Sequence, residues 1–305
     1  MRSLQGQELL YADNGIVRIG VDKAMGASIT HLSWQGYQKN TVNIHDPGRL
    51  IQQSYYAGNK LDRQIEGQNR AWSPWPWNPV QGGGVGSWAR VTVFEKDGSG
   101  TLIAETVPKL WDMPDEEAEA LMRQQTGFEP GIPNAIRVEC EVECSRDEND
   151  AWGVTLRRHQ EVPALYFTRN FSCFRVYLGE GKWKELSQSP GPPWGRAETT
   201  LNVMACFNGE GQGIAVFSPG ANEKWNFGPH GAGNTSEATG RPCVHLAPIV
   251  LTDLAPKSTF RYRYWMVLGT AEEMMPALEK LLGKYSAETV QLLNPQLENR
   301  SASPN

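Results

Sequence analysis

The chain has 305 residues, a formal net charge of −5 with both signs interspersed, and an excess of Gly (31), Pro (20) and Trp (11). Its size permits a large core without a metal or disulfide staple, and the lack of a Lys/Arg-rich run speaks against a nucleic-acid partner. No 18-residue apolar stretch is present, so no membrane span is expected. The first residues lack the apolar core of a secretory signal, which points to a cytoplasmic protein or a mature secreted one.

Residues 15–21 and 27–32 read as two strands around a turn, and 49–57 as a further extended run. In that run Leu50, Gln52, Ser54 and Tyr56 share one face, and Ile51, Gln53, Tyr55 and Ala57 the other. Both faces carry polar groups, so one of them is a candidate to line a site. Residues 59–86 are irregular, with three Pro, five Gly and three Asn. A connection of that length in a compact domain is usually functional or disordered, and its dense Trp argues for order. Residues 88–95 and 102–107 form an expected hairpin around Asp97-Gly-Ser-Gly100. Asp112, Pro114 and Asp115-Glu-Glu117 fit a helix start, so 112–125 is expected to be helical.

Ile136-Arg-Val-Glu-Cys-Glu-Val-Glu-Cys144 alternates apolar and charged residues and reads as a half-buried strand. Further strands are expected at 164–168, 174–178, 200–207, 213–218, 244–251 and 259–268. Thr270 and Glu273 have the spacing of a capping box, but Pro276 favours a helix that begins nearer to it. Of the five cysteines, Cys140 and Cys144 stand roughly 13 Å apart along a strand. That is too far for a mutual disulfide, and the set reads as buried thiols. About a dozen strands at hairpin spacing define an all-β chain, a large antiparallel β-sandwich or jelly roll with one or two short helices. A single domain is expected over 1–292, with a flexible tail over 293–305.

The segment Gly26-Ala-Ser-Ile-Thr-His-Leu32, followed by a turn and Asn40-Thr-Val-Asn43, resembles the opening hairpin of galactose-mutarotase-like β-sandwiches. The resemblance covers roughly thirty residues and implies a large twisted sandwich whose concave sheet binds sugars. Mutarotases place two His and a Glu on that sheet, the His within Asn-His and His-Pro contexts. Here the sequence has His45-Asp-Pro and His159-Gln-Glu161, so the resemblance carries the fold and not those residues. Tyr55-Tyr-Ala-Gly58 resembles the Tyr-containing strand of jelly-roll alginate lyases, whose other motifs are absent.

Three stretches could carry chemistry. His45-Asp-Pro-Gly-Arg-Leu-Ile-Gln-Gln-Ser-Tyr-Tyr56 holds a potential base (His45), a carboxylate (Asp46), a fixed cation (Arg49), two amides (Gln52, Gln53) and two phenols (Tyr55, Tyr56). A forked cation and an amide can neutralise an enolate while Tyr or His moves the proton, which are the parts that β-elimination of a uronic acid requires. The competing account is an edge strand in which Arg49 pairs with Asp46. Trp72-Ser-Pro-Trp-Pro-Trp-Asn78 offers Trp72, Trp75, Trp77 and Asn78 as a stiff aromatic platform for sugar rings, against a minicore under the loop. Arg157-Arg-His-Gln-Glu-Val-Pro-Ala-Leu-Tyr166 runs into a strand and carries Arg158, His159 and Glu161. His159 and Glu161 lie on one face of it, and Glu161 with Asp46 could serve as a hydrolase carboxylate pair. The competing account there is a solvated salt-bridge cluster. Trp194, within Pro190-Gly-Pro-Pro-Trp-Gly195, and Trp225 with Asn226 and His230 are rim candidates, against a structural role for each.

No metal-ligand spacing emerges, and the Gly-rich 82–86 run lacks the Lys-Ser/Thr of a phosphate loop. No cofactor is expected. The leading expectation is a carbohydrate-active lyase using His45, Arg49, Gln53 and Tyr55, with His159 or Tyr56 as alternative proton carriers. The alternatives are a hydrolase, a sugar epimerase and a non-catalytic carbohydrate-binding protein.

Overall fold

The computed structural model describes residues 8–153 and 157–293. Beyond Leu293 the expected tail lies outside the described residues, as do the first seven. Two ten-stranded antiparallel sheets pack face to face. The first runs in spatial order Leu9–Asp13, Val17–Asp22, Ser28–Trp34, Ile51–Ser54, Arg158–Thr168, Cys243–Thr252, Glu223–His230 and Gly195–Ala197. Pro79–Val80 attaches to Ile51–Ser54 and carries Lys109–Leu110. The second runs Arg90–Lys96, Leu102–Val107, Ala120–Phe128, Ala135–Cys144, Thr259–Gly269, Gly213–Phe217, Val203–Phe207, Cys173–Gly179 and Lys182–Leu186, with Gln291–Leu293 beside Thr259–Gly269. The expected all-β sandwich with a short helix is what the chain forms.

Alternation explains most of these strands. In Ala135–Cys144 the side chains of Ile136, Val138, Cys140, Val142 and Cys144 are buried between the sheets, and Arg137, Glu139, Glu141 and Glu143 face outward. Val203–Phe207 and Gly213–Phe217 are buried along their whole length. Their outer face is covered by the helix Ala271–Tyr285, whose Met274, Ala277, Leu278 and Leu281 join Phe207, Phe217 and Trp265 in a second core. All five cysteines are free thiols, and Cys173 is only half buried.

Two local expectations are corrected. Residues 112–125 are not a helix: a turn leads into the strand Ala120–Phe128. Asp112 caps nothing, because its carboxylate is buried and accepts the Gln68 Nε2–H at 2.6 Å. The helix does start at the capping box, with Thr270 and Glu273 bonding reciprocally. Pro276 sits inside it on the exposed side, where the carbonyl left without a donor faces water.

The helix is tied down through Glu129, which is 2% exposed. Its carboxylate accepts from Trp265 Nε1 (2.9 Å), Lys284 Nζ (2.9 Å) and the Tyr285 hydroxyl (2.7 Å). Burial alone would raise this carboxyl's pKa, but the three donors outweigh burial and hold it below its ordinary value near 4.5. Glu129→Ala would strand the buried donors of Trp265 and Tyr285, at an expected cost of about 3 kcal/mol in denaturant unfolding. A depressed carboxyl stabilises the fold above its unfolded pKa and loses that contribution as pH falls through the folded value. Glu129→Gln should therefore flatten the decline in Tm below pH about 4.5.

Candidate functional site

On the outer face of the first sheet lies a cleft of about 360 Å³, floored by Ile51–Ser54 and Arg158–Thr168 and walled by loops. Alternation along 51–57 divides the polar run between two environments. Ser54 and Tyr56 face the cleft. Gln53 and Tyr55 face the core, where the fully buried Tyr55 hydroxyl donates to Gln53 Oε1 at 2.8 Å and Gln53 Nε2 donates to the Arg123 carbonyl at 3.0 Å.

The floor also receives Glu161, Ala164 and Tyr166. Glu161 would point away from Tyr166 in a regular strand, but the register shifts by one residue between Glu161 and Leu165. That bulge aims both at the cleft. Glu161 Oε1 lies 3.2 Å from Nε2 of His245, a fully buried residue of the adjacent strand Cys243–Thr252. His245 is flanked by the rings of Tyr166 and Trp194, with centroids at 4.4 and 4.6 Å.

The walls are aromatic. Trp72 meets Trp75 edge-on at 5.0 Å and Trp111 edge-on at 5.5 Å, and Tyr56 meets Trp75 at 6.3 Å. Asn78, 2% exposed, sets this wall: its Oδ1 accepts from Trp75 Nε1 at 3.1 Å, and its Nδ2 donates to the Tyr55 carbonyl at 2.7 Å. Opposite stand Pro192, Trp194 and His230. His230 Nδ1 lies 3.0 Å from the Gly191 carbonyl, so it carries the hydrogen and Nε2 is left for other partners. The Arg49–Asp46 pair closes one end at 3.1 Å, and the Arg49 guanidinium also donates to the Arg241 carbonyl.

Electrostatics separate the roles these groups can take. Burial, reinforced by the Glu161 charge, pushes the phenols of Tyr56 and Tyr166 above their ordinary value. Both are therefore hydrogen-bond donors at neutral pH. Burial lowers the His230 imidazole below its ordinary 6.5, with Arg49 adding to the effect and the Gly191 bond opposing it. At neutral pH the cleft thus combines the Glu161 carboxylate, the Arg49–Asp46 ion pair, a neutral imidazole, two protonated phenols and several indole faces.

Of the residues singled out from sequence, Asp46, Arg49, Tyr56, Trp72, Trp75, Asn78, Glu161, Trp194 and His230 converge on this cleft. The others go elsewhere. His45 is exposed, with Nδ1 against the Thr239 carbonyl at 2.9 Å. Gln52 is buried, holding the Pro47 carbonyl at 2.8 Å and the Gly82 N–H at 2.6 Å. Trp77 is buried beneath Arg146, and Trp225 is fully buried in the main core. Arg158 donates to the Gly58 carbonyl, and exposed His159 lies 3.5 Å from Arg196. The residues missed are Trp111 and His245, and Tyr166 ended the third candidate stretch without being given a role. His245 did carry a signal, being one polar residue inside the apolar run Cys243–Thr252, where a buried imidazole needs a partner. Among the described residues no group of three or more His, Cys, Asp or Glu is gathered to hold a metal ion, and no helix is long and apolar enough to cross a membrane.

No family model matches this chain, and no curated protein matches it in sequence. Solved structures similar to it include the Slr1438 protein from Synechocystis sp. PCC 6803, at 10% identity and TM-score 0.49, covering 88% of this chain and 100% of that one. Another is a putative aldose 1-epimerase from Klebsiella pneumoniae, at 10% identity and TM-score 0.49, covering 94% and 87%. A third is a GalM/aldose epimerase homologue from C. elegans, at 7% identity and TM-score 0.47, covering 86% and 98%.

Asn78→Ala should free the Trp75 indole and leave the Tyr55 carbonyl unpaired, costing about 1–3 kcal/mol in denaturant unfolding. The near-ultraviolet circular dichroism should weaken with it. An unchanged aromatic spectrum would show that Asn78 does not set the wall.

Proposed function

We propose that the cleft binds a neutral sugar and interconverts its anomers by moving protons at the ring. The observation that supports this best is the meeting of Glu161 and His230 in one aromatic-walled cleft. Indole faces suit the apolar faces of a pyranose, while phenols, amides and the carboxylate suit its hydroxyls. Charge favours a neutral ligand. The lining cation Arg49 is already matched by Asp46 and the Arg241 carbonyl, which leaves Glu161 as the unmatched charge. A uronate or sugar phosphate would meet repulsion there.

In this reading Glu161 accepts the proton of the anomeric hydroxyl while His230, in its imidazolium form, donates from Nε2 to the ring oxygen. The C1–O bond of the ring breaks to give the open-chain aldehyde. Rotation about C1–C2 and the reverse transfers close the ring as the other anomer, and both groups regain their starting protonation. The elimination scheme loses support because Gln53 and Tyr55 use their polar groups inside the core. A hydrolase reading keeps one observation in its favour: Asp46 and Glu161 line the same cleft.

Polarimetry on a panel of neutral aldoses should show accelerated anomer interconversion. Glu161→Gln should slow it about 10²- to 10⁴-fold with little loss of binding. Catalysis needs Glu161 ionised and His230 protonated, so the rate should be greatest below pH 6.5, where the lowered His230 pKa lies, and should fall as pH rises. New reducing ends from oligosaccharides would favour the hydrolase instead. Absence of both binding and interconversion across the panel would sink the proposal.

A further inference from the structure

We infer that His245 is a positioning residue, which holds the Glu161 carboxylate in one orientation for the step assigned to it above. The turnover part rests on that reading; the coupling of the two side chains does not. His245 is fully buried near the start of Cys243–Thr252, and its ring is clamped between Tyr166 at 34° and Trp194 at 38°. A carboxylate only accepts, so Nε2 carries the hydrogen across the 3.2 Å to Oε1. That leaves Nδ1 bare, and it is buried with no partner among the described residues. A neutral imidazole tolerates a bare Nδ1, whereas an imidazolium would bury an N–H there with nothing to receive it. The surroundings therefore select one tautomer, and its donor is aimed at Glu161.

The neighbouring groups do not compete for this role. Cys243, on the same strand, is pushed up to about 11 by burial and is neutral. Tyr166 on Arg158–Thr168 and Tyr56 across the cleft stay protonated. The His230 pKa is lowered by burial, so its imidazolium forms on the acid side, and Arg49 and Asp46 offset one another. Among the described residues, the bond from His245 is the side-chain hydrogen bond that Glu161 receives.

The test uses the full chain with ¹³C-labelled glutamate carboxyls, Glu161 being assigned by its loss in Glu161→Gln. His245→Phe keeps the aromatic stack and removes the donor, and should shift and broaden the Glu161 carboxyl resonance at neutral pH, because the side chain is no longer held in one orientation. His245→Gln, which restores an N–H, should recover at least half of that shift. If His245→Phe does not fold, His245→Met takes its place with the same expectation. On a turned-over aldose, kcat should fall about 10- to 100-fold, with KM changed by less than about threefold. A Glu161 carboxyl resonance unchanged in the folded donor-less variant overturns the inference. If the wild type turns over no neutral aldose, the proposed function fails while the carboxyl resonance still decides the coupling.

Discussion

Successive side chains of a strand alternate between its two faces, so Glu161 and Tyr166, five residues apart, would point oppositely if Arg158–Thr168 were regular. The one-residue slip between Glu161 and Leu165 reverses that parity. Before the slip Glu161 faces outward and Val162 inward. After it Ala164 and Tyr166 face outward, with Leu165 and Phe167 inward. The slip has a chemical basis in Pro163, which brings no N–H to the ladder and is tolerated where pairing is already interrupted. The carbonyl of Val162 is taken up instead by the hydroxyl of Ser218, 1% exposed and placed at the end of a strand in the opposite sheet. A buried acceptor is thereby satisfied, and the strand that carries Glu161 is pinned to the second sheet at the point where it bends.

With the floor fixed, the walls need only be held against it. The long 59–86 connection is ordered by polar anchors that reach beyond its own sequence. The Asn69 N–H donates to the Asp112 carbonyl at 2.9 Å, and Gln68 bonds the Asp112 side chain. Trp72 and Trp111 are joined by these same links before their rings meet. Asn78 ties the following turn to the backbone of Tyr55, so one amide connects the aromatic wall to the strand beneath it. The Trp-rich stretch thus supplies both of the accounts its sequence allowed: Trp77 is minicore, and Trp72 and Trp75 are cleft.

This division explains which parts of the molecule were legible. Strands such as Ala135–Cys144 could be read because their buried positions are all apolar. Ala120–Phe128 could not, because its core-facing positions include Gln124 and Thr126, whose side chains are joined by a bond from Gln124 Nε2 to Thr126 Oγ1 at 3.1 Å. Two polar residues on the buried side blur a period of two, and the acidic turn before it mimics a helix start. The same effect decided the candidate site. The two faces of 50–57 were assigned correctly relative to each other, but nothing local says which one is core when both are polar. The partner that takes Gln53 inward is a carbonyl at Arg123, in the other sheet. Tyr166 was out of reach because the parity that hid it is broken by the bulge, and His245 because its partner Glu161 lies 84 residues away.

The closeness of core and cleft residues along one short strand makes register the quantity that must be protected. A slip of a single residue in Ile51–Ser54 would exchange Tyr55 with Tyr56 and Gln53 with Ser54, emptying the core and filling the cleft at once. The strand's own ladder to its neighbours is brief, so side-chain amides extend it on both sides. Gln81 Oε1 accepts from the Gln53 N–H at 3.1 Å. Gln160 bonds both backbone groups of Tyr56, accepting from its N–H at 2.9 Å and donating to its carbonyl at 2.7 Å. Gln160 thereby acts as a missing strand residue would, and it is next to Glu161. The residue that locks Tyr56 into the cleft and the residue that presents the carboxylate are neighbours in the chain, so the two sides of the floor cannot drift in register independently.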